Sequence, residues 1–268
     1  VPSTMLARIE ERQKAFGGIA PFATQMPTGR GEHTTYPSLD DTANSGVIAA
    51  ENTAPASGGA DVTFGQVALD AYTYMATGAS NAPIRVSVEL QQDADFDVQS
   101  LLVRLLGTRL ARAQAPDWAT GSGSSKPDGI VRSGLTADVT QTPTATFTYD
   151  NLVDMENAID PAYLQNARWV MNSKTWSEYR KLTDTAGRPL VIENAQSGIA
   201  GPAPKSLLGY PVVIDQAFPD AAISTNFLVF GDIEEAYVIR RIGSIAIWVN
   251  PYASSRYVEY EAWERADG

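Results

Sequence analysis

The side chains of this sequence best suited to chemistry are its carboxylates. Glu89 with Asp93 or Asp95 offers the proton donor and acceptor of a glycosidase pair, but nothing in the spacing sets two carboxyl groups across a common cleft. Asp93, Asp95 and Asp97 are better explained as helix-start residues, where negative charge meets the positive end of the helix dipole. Asp40 with Asp41, and Asp215 with Asp220, offer oxygens to a hard cation, yet no loop has the alternating oxygen spacing of a calcium site. Surface acids are the expectation there. The run Gly121 to Gly129 (GSGSSKPDG) superficially resembles a phosphate-cradling loop. It lacks the Gly-Lys-Ser/Thr ending and follows a helix instead of joining a strand to a helix, so a hairpin turn is expected. The chain has no cysteine, and His33 is its one histidine. Disulfides, thiolate metal sites and a cysteine nucleophile are thereby excluded, and a histidine triad or multi-histidine metal site very nearly so. Trp248, Tyr252, Tyr257, Tyr260 and Trp263 gather near the C-terminus among largely acidic charges, which favours packing over base stacking. No enzyme signal is left, and no cofactor or metal is called for.

Composition narrows the classes further. The 268 residues are 44% hydrophobic and 19% charged, enough for a real core in two lobes. Formal net charge is −11 and no window is strongly basic, so tight binding through neutralised phosphates is not expected. No apolar run approaches the roughly 20 residues that cross a bilayer. The chain begins at Val1 and not Met, a start that hints at proteolytic maturation and that a sequence beginning partway along would share.

The elements that must position any function centre on residues 93–130. Val98, Leu101, Leu102, Leu105, Leu106, Leu110 and Ala113 fall within one broad arc at 100° per residue, predicting a long helix over about 95–115 that buries one face. Asp93, Asp95 and Asp97 crowd its start and Arg104, Arg109 and Arg112 its end, with Pro116, Gly121 and Gly123 supplying the stop. Arg109 falls inside the apolar arc. It either snorkels to water or meets a carboxylate of another element or subunit.

Residues 1–35 are broken by Gly17, Gly18, Pro21, Pro27, Gly29 and Gly31 and predict an extended arm. From about 34 to 83 a long two-stranded projection is expected. Its second strand, Val62 to Ala76, places Phe64, Gln66, Ala68, Asp70, Tyr72 and Tyr74 on one face, and its tip is Asn52 to Ala60. A lone ribbon is marginal in water, so it implies a partner surface. Ile84 to Leu90 is expected to be a strand. Residues 147–233 predict an α/β lobe. In it an apolar stripe of Leu152, Met155 and Ile159 leads to a strand at Ala167 to Met171. Then come a helix capped by Ser173, a loop over 192–205, and strands at Leu208 to Asp215 and Asn226 to Gly231. The end of the chain reads as three strands, Ala236 to Ile242, Ile245 to Asn250 after a Gly243-Ser244 turn, and Arg256 to Glu264. These pair back onto the helix-bearing lobe, making it discontinuous. An arm, a ribbon and a long loop are assembly features.

The sequence resembles the major capsid proteins of tailed bacteriophages with the HK97 fold. The carrying segments are the long helix running into Thr120 to Gly123 and Lys126 to Ile130, then Asp160 to Tyr163, Ala167 to Asn172, Asp184 to Leu190, Leu207 to Val213, Phe230 to Asp232 and Arg265 to Gly268. Their order and spacing cover essentially the whole chain. The resemblance implies an α+β, HK97-like capsid fold. It divides the chain into an N-terminal arm at 1–35, an E-loop β-ribbon at 36–83, a peripheral domain at 84–140 with its spine helix, an axial domain at 141–232 and a second peripheral part at 233–268. It implies a homo-oligomer of hexamers and pentamers, located in the virion as an icosahedral shell around double-stranded DNA. Portal, scaffold protease and cement or decoration proteins are its expected partners, with no membrane. The assembly-interface candidates are Asn52, Phe64, Tyr72, Arg109 and Lys205. Some relatives lock the shell by an isopeptide bond from an E-loop lysine; here no lysine occurs between Lys14 and Lys126, so no such cross-link through this loop is expected. Within the same fold an encapsulin-like cellular compartment is the alternative, and in another class an acidic carboxylate-dependent hydrolase.

Overall fold

The computed structural model describes residues 18–39, 48, 51, 64–77, 82–93, 98–132, 148–184, 186–188, 190, 205–222 and 225–268. Its body is a five-stranded sheet against a long helix. The strands are β1 (Thr24–Thr28), β4 (Tyr72–Ala76), β5 (Ile84–Ser87), β10 (Val238–Asn250) and β11 (Tyr257–Asp267), in the order β1-β10-β11-β4, with β5 also pairing β11. β1 runs parallel to β10, and all other pairs are antiparallel. Strand β11 buries Val258, Tyr260, Ala262, Glu264 and Ala266 on one face, and Glu259 and Asp267 are buried on the other.

A short helix α1 (Val88–Asp93) follows β5, and the long helix α2 spans Val98–Thr120. Its buried stripe is Val98, Leu102, Val103, Leu106, Leu110, Ala111, Gln114, Ala115, Trp118 and Ala119, the i, i+4 pattern of a helix laid on a sheet. Three expectations change here. Leu101, Leu105 and Ala113 lie on the outer face, because the buried stripe is rotated from the predicted arc toward Val103, Ala111, Gln114 and Ala115. Asp93 ends α1 and does not open α2; Asp95 and Asp97 lie outside the described residues. Pro116 sits inside α2 and does not stop it. Proline withdraws one N–H from the carbonyl four residues back, and since Arg112 and Pro116 are both exposed, water can take that place. The stop is the tight hairpin that follows. Gly123 N–H donates to the Pro127 carbonyl (3.1 Å) and Gly129 N–H to the Gly121 carbonyl (2.9 Å).

The expected arm is partly core. Ile19, Ala20 and Ala23 are buried with the helix and sheet side chains, and β1 completes the sheet edge. Residues 1–17 lie outside the described residues. The expected ribbon strand is also two strands. β3 (Phe64–Leu69) pairs with β2 (Thr34–Leu39) in a separate two-stranded sheet, whereas β4 belongs to the body. At the C-terminus, Gly243-Ser244 is not a turn: β10 is one 13-residue strand with its register shifted between Ile242 and Ala246 and Gly243 at φ +68°. That is a bulge, for which a left-handed glycine is the natural residue.

The second lobe carries the sheet β7-β8-β6-β9, from β6 (Arg168–Met171), β7 (Ser206–Leu207), β8 (Tyr210–Ile214) and β9 (Leu228–Gly231). Helices α3 (Tyr149–Asn157) and α4 (Ser173–Arg180) cover it, burying Leu152, Trp176 and Tyr179 with Trp169, which stacks on Phe230 at 4.1 Å. The α4 cap is Asn172, not Ser173: its side chain accepts the Thr175 N–H at 2.8 Å. The loop expected at 192–205 lies outside the described residues up to Lys205. A final one-turn helix α5 (Ile233–Ala236), capped by Asp232, leads into β10. Val170, Phe218 and Ile233 join the body core, so the lobes share packed side chains.

Candidate assembly interface

The surface least accounted for within one chain is the β2–β3 ribbon. Its register runs from Thr34 opposite Leu69 to Leu39 opposite Phe64. Opposed residues of an antiparallel pair share a face, so Tyr36 and Val67 lie together on one side and Phe64 on the other. Phe64 is 71% exposed and Val67 49%. A two-stranded sheet with apolar side chains bare on both faces is a surface that wants covering. A second such surface is the outer face of α2, where Leu101 (50% exposed) and Leu105 stand one turn apart beside the exposed Arg104.

Both surfaces are tied to the same strand. Consecutive residues of β10 point to opposite faces of the sheet, and here they are Arg240 and Arg241. Arg240 is 1% exposed. Its Nε donates to Thr28 Oγ1 (3.1 Å), Nη1 to the Leu69 and Asp70 carbonyls (2.8 and 3.0 Å), and Nη2 to the Arg30 and Glu32 carbonyls (2.9 and 2.7 Å). Its cross-strand neighbour Asp267 accepts the Asp70 N–H through Oδ2 and the Gly268 N–H through Oδ1 (2.9 Å). Burial pushes the Asp267 carboxyl above the usual range, against the two backbone N–H groups and the Arg240 charge that pull it down. His33 Nδ1 lies 2.8 Å from Asp70 Oδ1 at the outer rim of this joint.

On the other face, Arg241 Nη1 donates to Glu264 Oε1, and Glu264 Oε2 accepts from Gln114 Nε2 of α2 at 2.9 Å. Arg241 Nε donates to Gln25 Oε1 (3.1 Å), whose amide nitrogen donates to the Ala20 and Ala23 carbonyls. The chain of polar groups crosses α2, β11, β10 and β1. Nearby, a cleft of about 700 Å³ between α2 and β8 is lined by Phe22, Arg112, Pro116 and Asp215. Burial raises the Asp215 carboxyl against backbone N–H groups of Ala217 and Ile19, and it lies so close under Gly18 that a Cβ there would meet Oδ2 at 2.0 Å.

Four of the five predicted interface residues are described, and they sit on separate elements. Asn52 lies outside the described residues. Phe64 is bare on the ribbon, but Tyr72, expected on the same ribbon face, is half-buried in β4 against the body core. The reason is the joint itself: with the Leu69 and Asp70 carbonyls held by Arg240 and the Asp70 N–H by Asp267, the chain leaves one sheet and enters another. Arg109 donates to the Thr77 carbonyl at 2.6 Å, just past β4, and forms no ion pair with a carboxylate of the described residues. Lys205 is exposed beside β7, far along the chain from the ribbon, with its carbonyl bonded to the Val212 N–H. Sequence reasoning missed Arg240, Arg241, Glu264 and Gln114. The available signal was a pair of adjacent arginines inside an otherwise apolar strand. Among the described residues, no cluster of three or more His, Asp or Glu could hold a metal, and no helix is long and apolar enough to cross a membrane.

The model of the phage capsid family matches residues 1–268. Among solved structures, the chain is similar to the capsid of a native GTA particle computed with C5 symmetry, at 25% identity and TM-score 0.75 over 94% of this chain and 86% of that one. It is similar to a structure from Mycobacterium phage Cain at 13% identity and TM-score 0.60, over 92% and 82% of the two chains. A structure from Gordonia phage Cozz matches at 14% identity and TM-score 0.54, over 92% and 81%. At these lower identities the likeness shows the fold. Comparison by sequence with curated proteins finds no match.

Proposed function

Since the chain belongs to the phage capsid family and is a structural protein of the virion capsid shell, we propose that the β2–β3 ribbon and the outer face of α2 are the surfaces by which one subunit grips the next. The fold is an HK97-like α+β fold. On this reading the α2 body, with β10 and β11, is the peripheral domain, and the lobe within 141–232 is the axial domain. The capsomers are homo-oligomeric, as hexamers and pentamers. The observation that carries the reading is the ribbon with Phe64 and Val67 bare on its two faces. Covering it, with the Leu101–Leu105 face, can contribute to a standard interface of about 1,600 Å², and many such contacts reinforce one another in a closed shell. A net charge of −11 suits a wall that encloses double-stranded DNA without gripping it. The family match and the capsid neighbours favour this reading over a cargo compartment or a hydrolase.

Electron microscopy of native particles and of a Phe64→Asp, Val67→Asp variant tests it. Closed shells containing DNA are expected from the wild type. The variant is expected to give unassembled subunits with unchanged circular dichroism. Shells built as readily by the variant would overturn the role of the ribbon.

A further inference from the structure

We infer that Arg240 is a positioning residue that sets the direction in which the β2–β3 ribbon leaves the body. The argument starts from its donors. A guanidinium carries five N–H donors in a rigid planar fork, and here all five are used. Nη2 holds the Arg30 and Glu32 carbonyls, on the chain entering the ribbon. Nη1 holds the Leu69 and Asp70 carbonyls, on the chain returning from it. One plane therefore fixes both legs of the ribbon to one point of β10. Asp267 fastens the returning leg a second time through the Asp70 N–H. The exposed Arg265 side chain of β11 reaches the entering leg, where a Cβ on Gly31 would lie 2.6 Å from its Nη1. Arg240, Arg265 and Asp267 stand at neighbouring register positions of β10 and β11, so the root is a compact polar socket. Beyond it the ribbon's apolar side chains are bare.

Such an arrangement makes the ribbon a lever. Six paired residues extend about 20 Å from the root, so a tilt of roughly 10° at the root displaces the far end by roughly 3 Å. That is enough to misalign side chains that must pack on another surface. Lysine at 240 keeps the charge but presents three donors from a single point and cannot span both legs. The direction of the ribbon is a property of the lone subunit; only its use in shell building rests on the proposed function.

Double electron–electron resonance on the unassembled subunit reads this directly, because a chain without cysteine can be labelled at chosen pairs. A Gln66→Cys, Arg104→Cys pair spans ribbon and body; an Arg104→Cys, Tyr252→Cys pair lies within the body. Arg240 subunits are expected to show a narrow distance distribution for both pairs. With Arg240→Lys, the ribbon–body distribution is expected to widen at least twofold while the body pair is unchanged. Hydrogen exchange in β2 and β3 is expected to quicken at least tenfold, with α2 and β11 protected as before. Asp267→Asn, which keeps an acceptor for the Asp70 N–H, is expected to widen the distribution less than Arg240→Lys. An unchanged ribbon–body distribution in Arg240→Lys, or equal loosening of ribbon and body, would overturn the inference. If Arg240→Lys subunits orient the ribbon normally yet fail to assemble, the positioning role falls while the capsid reading stands. If the ribbon swings and shells still form, positioning stands and the ribbon contact in the proposed function falls.

Discussion

Arg241 Nη1 and Glu264 Oε1 lie 2.6 Å apart, with the glutamate side chain 5% exposed and the arginine 24%. The pair links β10 to β11 and, through Gln114, to α2; through Gln25 it reaches the buried turn before β1. It is a short charge-assisted contact at the crossing of four elements.

Glu264→Gln removes the buried charge but keeps an amide oxygen for Gln114 and Arg241, and Arg241 is partly exposed and keeps Gln25. It is expected to destabilise the subunit by about 1.5 kcal/mol in urea unfolding. Arg241→Met with Glu264→Leu is expected to cost more, because it leaves the buried Gln114 amide without its acceptor. A double variant at least as stable as the single would overturn the role given to Gln114.

Trp118 is fully buried, with its ring centroid 6.0 Å from that of Tyr74. Trp118→Ala opens a cavity between α2 and β4 and is expected to cost about 3–5 kcal/mol, measured by the same unfolding curve. Leu101→Ala, on the outer face, is expected to change subunit stability by no more than about 0.5 kcal/mol and to show its effect only in assembly.

Two glycines separate two kinds of constraint. A Cβ at Gly129 would lie 2.3 Å from the Gly121 nitrogen and 2.6 Å from the Ala119 carbonyl oxygen, all backbone. Gly129→Ala is expected to cost about 3 kcal/mol. Gly187 has φ +78° and open space around it, so Gly187→Ala should cost only about 1 kcal/mol, from the left-handed backbone alone. Thermal denaturation of both variants checks the order.

Acid should favour the subunit locally at Asp215 and Asp267. Burial raises both carboxyls above the ordinary 3.8, so the folded chain takes up these protons at a higher pH than the unfolded one. The stability cost of the ionised groups is full above the folded pKa values and is relieved as pH falls through them toward 3.8. Relative to Asp215→Asn and Asp267→Asn, the wild type is therefore expected to gain in melting temperature on going from about pH 7 to about pH 4. A wild type that loses ground over that range contradicts the sign.

With no lysine between Lys14 and Lys126, the ribbon has no amine for an isopeptide bond. Assembled particles boiled in detergent are expected to run as a single band at the mass of one subunit. A covalent ladder would show a cross-link through another lysine.

Much of the fold was legible because its signals are local. The stripe from Val98 through Leu102 and Leu106 to Leu110 has the helix period, the alternation of Val258, Tyr260 and Ala262 has the strand period, and glycines with Pro127 mark the hairpin after α2. Motifs in order along the chain were enough for the capsid family. What no local pattern carries is which strand joins which sheet. Val62 to Ala76 reads as one strand by alternation, yet Leu69 and Tyr72 end up in different sheets because Arg240 and Asp267, some 170 to 200 positions away, take the backbone groups between them. Residues 18–28 read as an arm for want of periodicity, yet Ile19, Ala20 and Ala23 are buried in the body core and Thr24–Thr28 pair with β10 as a parallel edge. The joint at Arg240 was invisible for the same reason. Its partners are mostly backbone carbonyls, which every residue has, and only the tertiary structure decides which five acceptors converge on one guanidinium.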